Sequence, residues 1–450
     1  MATTHTPPEG ADAGRTPWWN RPMTRRQMLR TSAAGALGLA VGAAAARIGW
    51  GAETRPAGGG TKAEAGSVQV VPFYGEHQAG ITTPQQAHLV LAAYDVLTTR
   101  AGELKDLLRA WTEAAARMTQ GQPLPASSSL TALPPADTGE ALGLPPARLT
   151  LTFGFGPGLF RRDGVDRFGL ASRRPNTLQD IPPMPREALD PAWCGGDLLI
   201  QACADDPQVA FHAVRNLTRA AAGAAAIRWM QRGFLGMPGA GGGDGGGGTA
   251  GAAAGSADRN QTPRNLFGFK DGTANRSVLT DAGLRQHVWV GPSDGPAWMR
   301  GGTYLAVRHI RMHLEVWDRT SLDDQEQTFG RRKDSGAPFG ASDEFDPVDP
   351  ARLPQDAHVR LARGDGSIQL LRRGYSYVAG IDPKTGLLDA GLCFLSFQRD
   401  LQRQFVPVLR RLQEQDALNE YTEHFGSAVF AIPPGTQPGS FVGEGLFGTL

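Results

Sequence analysis

Cysteine is scarce: the 450-residue chain has three, Cys194, Cys203 and Cys393. An odd number cannot all pair, and Cys194 and Cys203 lack the two-residue gap of a zinc knuckle, so a disulfide scaffold and a structural zinc site are both disfavoured. All three read as core thiols. Charge imbalance is missing as well. Forty-five basic residues against 44 acidic ones give a formal +1 at neutral pH, and no basic cluster stands in the body of the chain, which argues against a nucleic-acid partner. Long hydrophobic runs are absent too. The most apolar stretch, from about Thr31 to Gly49, is rich in Ala and Gly and sits near the lower length limit for a membrane span. What remains is a chain long enough for one large or two ordinary domains with a substantial core.

The N-terminus reads as an address rather than as structure. Thr24-Arg25-Arg26-Gln27-Met28-Leu29-Arg30 sets paired arginines just before the weakly apolar run, the layout of a twin-arginine export signal. The signal is expected over residues 1–55, with cleavage among Ala44 to Ala57. Its translocase is then a partner, and the destination is the periplasm or the cell-envelope space. Residues 1–52 carry six arginines against Glu9 and Asp12, so their removal takes the formal charge from +1 to about −3. This route moves proteins already folded, and a cofactor inserted before export is a common reason to need it.

After a polar linker over residues 56–67, the pattern suggests a strand at 68–73 and a helix opening at Thr83-Pro84, where Leu89, Ala93, Val96, Leu97 and Leu104 recur with helix-like spacing. Strand signals follow at 149–155, 197–203 and 226–234, with a helix at 207–222 before the last of these. The first half, residues 68–235, thus reads β-α-β-β-α-β, the ferredoxin-like arrangement. Residues 236–260 collapse into Gly and Ala and read as a flexible insertion. The second half, 261–450, repeats the pattern, with strands at 303–317, 368–378, 390–397 and 428–432 and helices at 321–329 and 401–418. The fold class is α+β. Two ferredoxin-like halves packed sheet to sheet make a dimeric α+β barrel-like domain, and the space between sheets and helices is suited to a large planar cofactor.

Gly268-Phe269-Lys270-Asp271-Gly272-Thr273-Ala274-Asn275 is, on its own, an ordinary tight turn. Read with His358 and Arg372-Arg373-Gly374-Tyr375, it completes a set of three parts: an acid, a metal-type ligand and a fixed cation. A haem peroxidase needs those three. One imidazole nitrogen binds iron while the other is held by a carboxylate or carbonyl. A carboxylate within reach of bound peroxide shuttles its proton. A guanidinium stabilises the charge that develops as the oxygen–oxygen bond breaks. Asp271 and Arg372 fit the last two roles, and Gly268 and Gly272 let the backbone approach a macrocycle closely.

The motif Gly268-x-x-Asp271-Gly272 followed by Thr-Ala-Asn resembles the signature of the dye-decolourising peroxidases. Within them it is most similar to the exported deferrochelatase/peroxidase branch, which works beside a ferrous-iron permease. The run from Pro72 to Gln85, Gly196-Asp197-Leu198-Leu199, Val316-Trp317-Asp318-Arg319-Thr320 and Leu371 to Tyr377 agree with that branch, so the resemblance spans about residues 68–450. It implies one haem b per chain, His358 as the iron ligand, Asp271 as distal acid and Arg372 as distal arginine. It also implies that Gly272, Thr273 and Ala274 form the backbone over the haem and that Arg363, just after a ligand-bearing strand, contacts a propionate. Hydrogen peroxide, bulky aromatic reductants and haem itself are the implied substrates, and a homo-oligomer is expected. The Gly/Ala insertion and a short interval between His358 and Arg372 depart from the pattern. An aspartate with the usual pKa of about 3.9 predicts activity that peaks at acid pH. The competing reading is a non-catalytic exported haem carrier, which has no need of Asp271 or Arg372.

Overall fold

Short, largely buried apolar runs form strands β1 (His88–Val96), β2 (Thr150–Phe155), β3 (Leu198–Ala204) and β4 (Ala225–Phe234), then β5 (Thr303–Met312), β6 (Leu371–Arg372), β7 (Tyr375–Ile381), β8 (Leu388–Gln398) and β9 (Thr422–Ile432). The helices that matter for the site and the packing are α1 (Ala101–Met118) and α2 (Pro207–Ala220) in the first half, then α3 (Leu322–Phe329), α4 (His358–Arg363) and α5 (Val406–Gln415) in the second. This computed structural model describes residues 69–125, 132–236, 262–383 and 385–448. The expected export signal, the linker and nearly all of the Gly/Ala insertion lie outside the described residues. Among the described residues no helix is long and apolar enough to cross a membrane.

The strands form one antiparallel sheet in the order β5-β9-β2-β3-β1-β4-β7-β8-β6, and β8 pairs back onto β5, which closes a barrel of eight strands. Strands β6 and β7 run along the same edge of β8, with Leu371 opposite Phe397 and Tyr375 opposite Cys393. The two halves join through thin seams, Phe155 opposite Ala431 and Phe234 opposite Ser376. Such seams are too short to hold the halves together by backbone pairing alone. The barrel interior does most of that: Leu89, Leu91, Leu199 and Trp229 from the first half pack with Leu305, Val307, Leu395, Phe397 and Phe430 from the second. A core filled in this way leaves the barrel no room for a large ligand.

The second-half sheet is apolar on its outer face as well. Ile310, Met312 and Leu392 there pack with Phe267, Phe269, Trp317 and Phe329 from the segment that covers it, and Phe394 lies against the same cluster. In the first half the outer face is covered by α1 and α2. Asp206 caps α2 by accepting from the backbone N–H of Gln208 and Val209, with Pro207 at the first helical position. Trp111 of α1 donates to the Leu217 carbonyl of α2 at 2.7 Å, which ties the pair together.

Both halves keep the expected β-α-β-β-α-β order, but several boundaries differ. The helix expected from Thr83 is instead strand β1, whose sequence HLVLAAYDV is buried on both faces. An apolar run with two buried faces loses the alternation that separates strand from helix. The segment expected as a first strand contains no regular element over its described part, 69–73. The long strand expected at 303–317 ends at Met312, and Leu314–Trp317 is a helical turn. The strand expected at 368–378 is broken into β6 and β7 by Arg373 and Gly374. The helix expected at 401–418 begins with a π-turn over Leu401–Phe405 and stops at Gln415. Of the three cysteines, Cys203 and Cys393 are buried and Cys194 is only half-buried; all are free thiols.

The Gly196-Asp197-Leu198-Leu199 motif is accounted for by the fold. Asp197 is 1% exposed. Its Oδ2 accepts from Arg162 and Arg167, each at 2.8 Å, and from the Val96 N–H at 2.9 Å. A Cβ on Gly158 would stand 2.4 Å from Asp197 Oδ1, so the turn after β2 needs glycine there. Replacing Asp197 with Ala removes the buried carboxylate that both guanidinium groups share, leaving Arg162 with Asp95 and Arg167 with the Val96 and Gly158 carbonyls alone. We expect Asp197→Ala to cost about 3–5 kcal/mol, read as a lowered denaturant midpoint; an unchanged midpoint would remove this carboxylate from the account of the fold.

Candidate active site

The loop that carries Asp271 is a tight turn pinned at both ends. Asn265 N–H donates to the Phe269 carbonyl at 2.9 Å, Gly268 donates to the Asn265 carbonyl at 2.9 Å, and Arg264 bridges Lys270. Gly268 has φ +83° and Gly272 φ +118°, so both occupy the region that a side chain disfavours. Phe267 and Phe269 bury themselves on either side of the turn. The Phe269 ring stacks on Phe329 of α3 at 4.0 Å, and the Trp317 indole donates to the Phe267 carbonyl at 3.1 Å. Lys270 reaches Glu344 at 2.5 Å, and Thr262 donates to the other oxygen of the same buried carboxylate at 2.6 Å. Asp271 is therefore held between two anchored neighbours and aimed away from the core.

It meets Arg372, whose Nη1 donates to Asp271 Oδ1 at 2.9 Å, with about a quarter of each side chain exposed (27% and 25%). The two residues open onto a cleft of about 320 Å³, mouth included, lined also by Gln85, Leu235, Asn265 and Ser376. Thr273 Oγ1 is buried without a partner among the described residues. Ala274 is exposed.

His358 stands at the first position of α4, on a helix rather than the strand expected. Its Nδ1 lies 2.6 Å from Asp416 Oδ2, and Asp416 is 3% exposed. Asp416 is fixed in turn, since its Oδ1 accepts from the Leu418 N–H at 2.9 Å. The Phe329 ring lies 5.9 Å from the imidazole. Burial alone would lower the His358 pKa, but the charge and hydrogen bond of Asp416 outweigh it and raise the pKa above the ordinary value. Arg372 pushes it down and Asp271 pushes it up. All three residues thus share one electrostatic neighbourhood. A second cation joins them. Arg331 donates to the carbonyls of Gly336 (2.6 Å) and Glu344 (2.8 Å). Its own pKa is lowered first by burial and then by the charge of Arg372, against a raising contribution from Glu344.

The donor set fits haem. His358 Nε2 makes no hydrogen bond among the described residues, while Nδ1 is tied, so the free nitrogen is the one left for a metal. No group of three or more His, Cys, Asp or Glu able to hold a metal occurs among the described residues. A single histidine suffices when a porphyrin supplies the other ligands. The structure brings Asp271, Gly272, Thr273, Arg372 and His358 to this region. Arg363 ends α4 with an exposed side chain and no ion pair among the described residues. Sequence reasoning missed Asp416, Arg331, Glu344 and Asn275. Only Asn275 carried a signal, as the last residue of the octapeptide.

Two family models cover the chain: "Dyp-type peroxidase, N-terminal" matches residues 78–235 and "Dyp-type peroxidase, C-terminal" matches 262–437. The chain belongs to the Dyp-type peroxidase family and is a haem-dependent peroxidase. Among curated relatives, the deferrochelatase of Escherichia coli strain K12 is 40% identical over 378 residues, covering 81% of this chain and 84% of that protein. Among solved structures, a DyP-type peroxidase from Cellulomonas bogoriensis matches with a TM-score of 0.73 at 39% identity, covering 86% of this chain and 100% of that one. Ferric DtpA from Streptomyces lividans matches with a TM-score of 0.73 at 38% identity, covering 85% and 98%.

The raised His358 pKa carries a sign. In the haem-free protein the Asp416 bond contributes stability that is fully present below the unfolded value of about 6.5 and is lost as pH rises through the raised folded value. Asp416→Asn should therefore cost most in melting temperature near pH 6 and progressively less as pH rises. It should also weaken haem binding about 10–100-fold, measured by Soret titration. A pH-independent difference with unaltered affinity would contradict the pairing.

Proposed function

We propose that this protein uses hydrogen peroxide to oxidise bulky one-electron donors through haem b, held by His358 with Asp271 and Arg372 as the peroxide-facing pair. The observation that carries this reading is a carboxylate-tied histidine, next to Phe329, together with an acid–arginine pair that opens onto a cleft from the loop whose Phe269 stacks on that same ring. Bound haem supplies a redox-active iron that reacts with peroxide. The Asp416 bond fixes the His358 tautomer, so that Nε2 is the ligating atom and is made a stronger donor. Arg372 engages Oδ1 of Asp271, which leaves Oδ2 to take the peroxide proton and return it to the departing oxygen. The guanidinium keeps its charge throughout and stabilises the anion that develops. Arg331, whose charge is felt by Arg372, is a further cation that would be available to a haem carboxylate, as would the solvent-facing Arg363.

The deferrochelatase relatives support a second activity at the same site, release of iron from haem with the porphyrin intact. In keeping with it, the paired arginines at Arg25 and Arg26 suggest export by the twin-arginine translocase to the periplasm or cell-envelope space, where a ferrous-iron permease would take up the product. A homo-oligomer is in line with this reading. A non-catalytic carrier is disfavoured, because it has no use for an acid–arginine pair.

Stopped-flow mixing of the haem-loaded protein with peroxide tests the roles. Asp271→Asn should retain haem and slow the reaction about 10²–10⁴-fold, and Arg372→Leu should lose still more. Excess haem incubated with controlled reductant and peroxide should yield fluorescent protoporphyrin. Unchanged peroxide kinetics in both variants would overturn the assignment, and absence of free porphyrin would leave peroxidation alone.

A further inference from the structure

We infer that Asn275 is a positioning residue for the peroxide-facing pair: its side-chain amide stands in for a missing neighbouring strand and locks the Arg372 backbone to the loop that carries Asp271. The inference rests on the reading of Asp271 and Arg372 given above.

Strand β6 has only two residues, and its one paired edge lies on β8, with Arg372 opposite Ser396. Among the described residues no strand flanks its other edge, yet the Arg372 peptide groups there are satisfied. Arg372 N–H donates to Asn275 Oδ1 at 3.0 Å, and Asn275 Nδ2 donates to the Arg372 carbonyl at 2.6 Å. A carboxamide copies the donor and acceptor of a peptide group, so it completes the pairing that a third strand would otherwise supply. The same residue's own N–H donates to the Gly272 carbonyl at 2.8 Å and closes the turn beside Asp271. One residue is thus bonded to the peptide that carries the guanidinium and to the turn that carries the carboxylate.

The direct contact between the pair cannot set its geometry unaided. It is a single Nη1–Oδ1 bond between side chains about a quarter exposed, and ion pairs that open to solvent constrain little. Both side chains must instead inherit their positions from the backbone, and Asn275 is where the two backbones meet. The chemistry of the position is narrow. Aspartate would set an oxygen against the Arg372 carbonyl at 2.6 Å, and alanine would lose both bonds.

The test is a double-mutant cycle on the haem-loaded protein, read as the rate of reaction with hydrogen peroxide. Asn275→Ala is expected to slow that rate on the order of tenfold to a hundredfold, with haem affinity and the KM for a dye donor within about twofold of the parent. Asn275→Asp, which keeps the size and one acceptor, covers the case in which the alanine variant folds poorly, and is expected to lose rate in the same sense. In an Arg372→Leu background, either change should cost clearly less rate than it does in the parent, because only Asp271 is then left to position. A parental rate in Asn275→Asp, or a full loss that persists without Arg372, overturns the clamp. Failure of Arg372→Leu itself to slow the reaction would instead overturn the reading of the pair, and is distinguishable from failure of the clamp.

Discussion

The hydrogen bond between His358 Nδ1 and Asp416 is the constraint on which the site depends. It is short, it is made by a carboxylate almost shut off from water, and it fixes which imidazole nitrogen is left free. Asp416 can serve because its other oxygen caps the turn after α5, so the carboxylate is itself immobile. A histidine at the first turn of a helix, without such an anchor, would be one more half-buried side chain. With it, the ring has one orientation and one available ligand atom.

The site lies outside the barrel because the barrel is full. Large side chains from both halves occupy its interior, and the residual apolar demand of β5 and β8 is met on the outer face by Phe267, Phe269, Trp317 and Phe329. The turn bearing Asp271 belongs to that covering layer, as do α3 and α4. Two of the aromatic rings that cover the sheet are therefore also the anchors of the loop that carries Asp271, with Phe269 stacked on Phe329 and Phe329 next to His358. Core packing and placement of the acid are one arrangement. The first half carries none of the proposed ligand or acid residues; it closes the ring that the second half leaves open, and Gln85 reaches from it to the Gly374 carbonyl beside Arg372.

Much of this was legible beforehand, for identifiable reasons. Strands such as β3 and β8 are legible as short apolar runs, and α2 as the helix expected at 207–222. The octapeptide, His358 and Arg372 were legible because their residue types suit one chemistry together. Strand β1 was misread because burial on both faces erased its alternation. The break between β6 and β7 is not legible because the irregular step at Arg373 and Gly374 looks like continued strand in a β-rich stretch. Asp416 was invisible because its importance is a distance in space to a residue far away in sequence. Arg363 was placed by analogy with a strand, and a helix at that position sends the side chain to solvent. Asn275 stood in plain view within the motif, but its role is a backbone contact that residue type alone does not disclose.

The most direct measurement is haem titration of the protein and of its His358→Ala variant, followed by absorption in the Soret region. The account predicts one haem per chain with a sharp histidine-ligated band for the parent, and loss of that band with greatly weakened binding for the variant. A parental spectrum and affinity in His358→Ala would contradict the claim that this residue, held by Asp416, is the iron ligand.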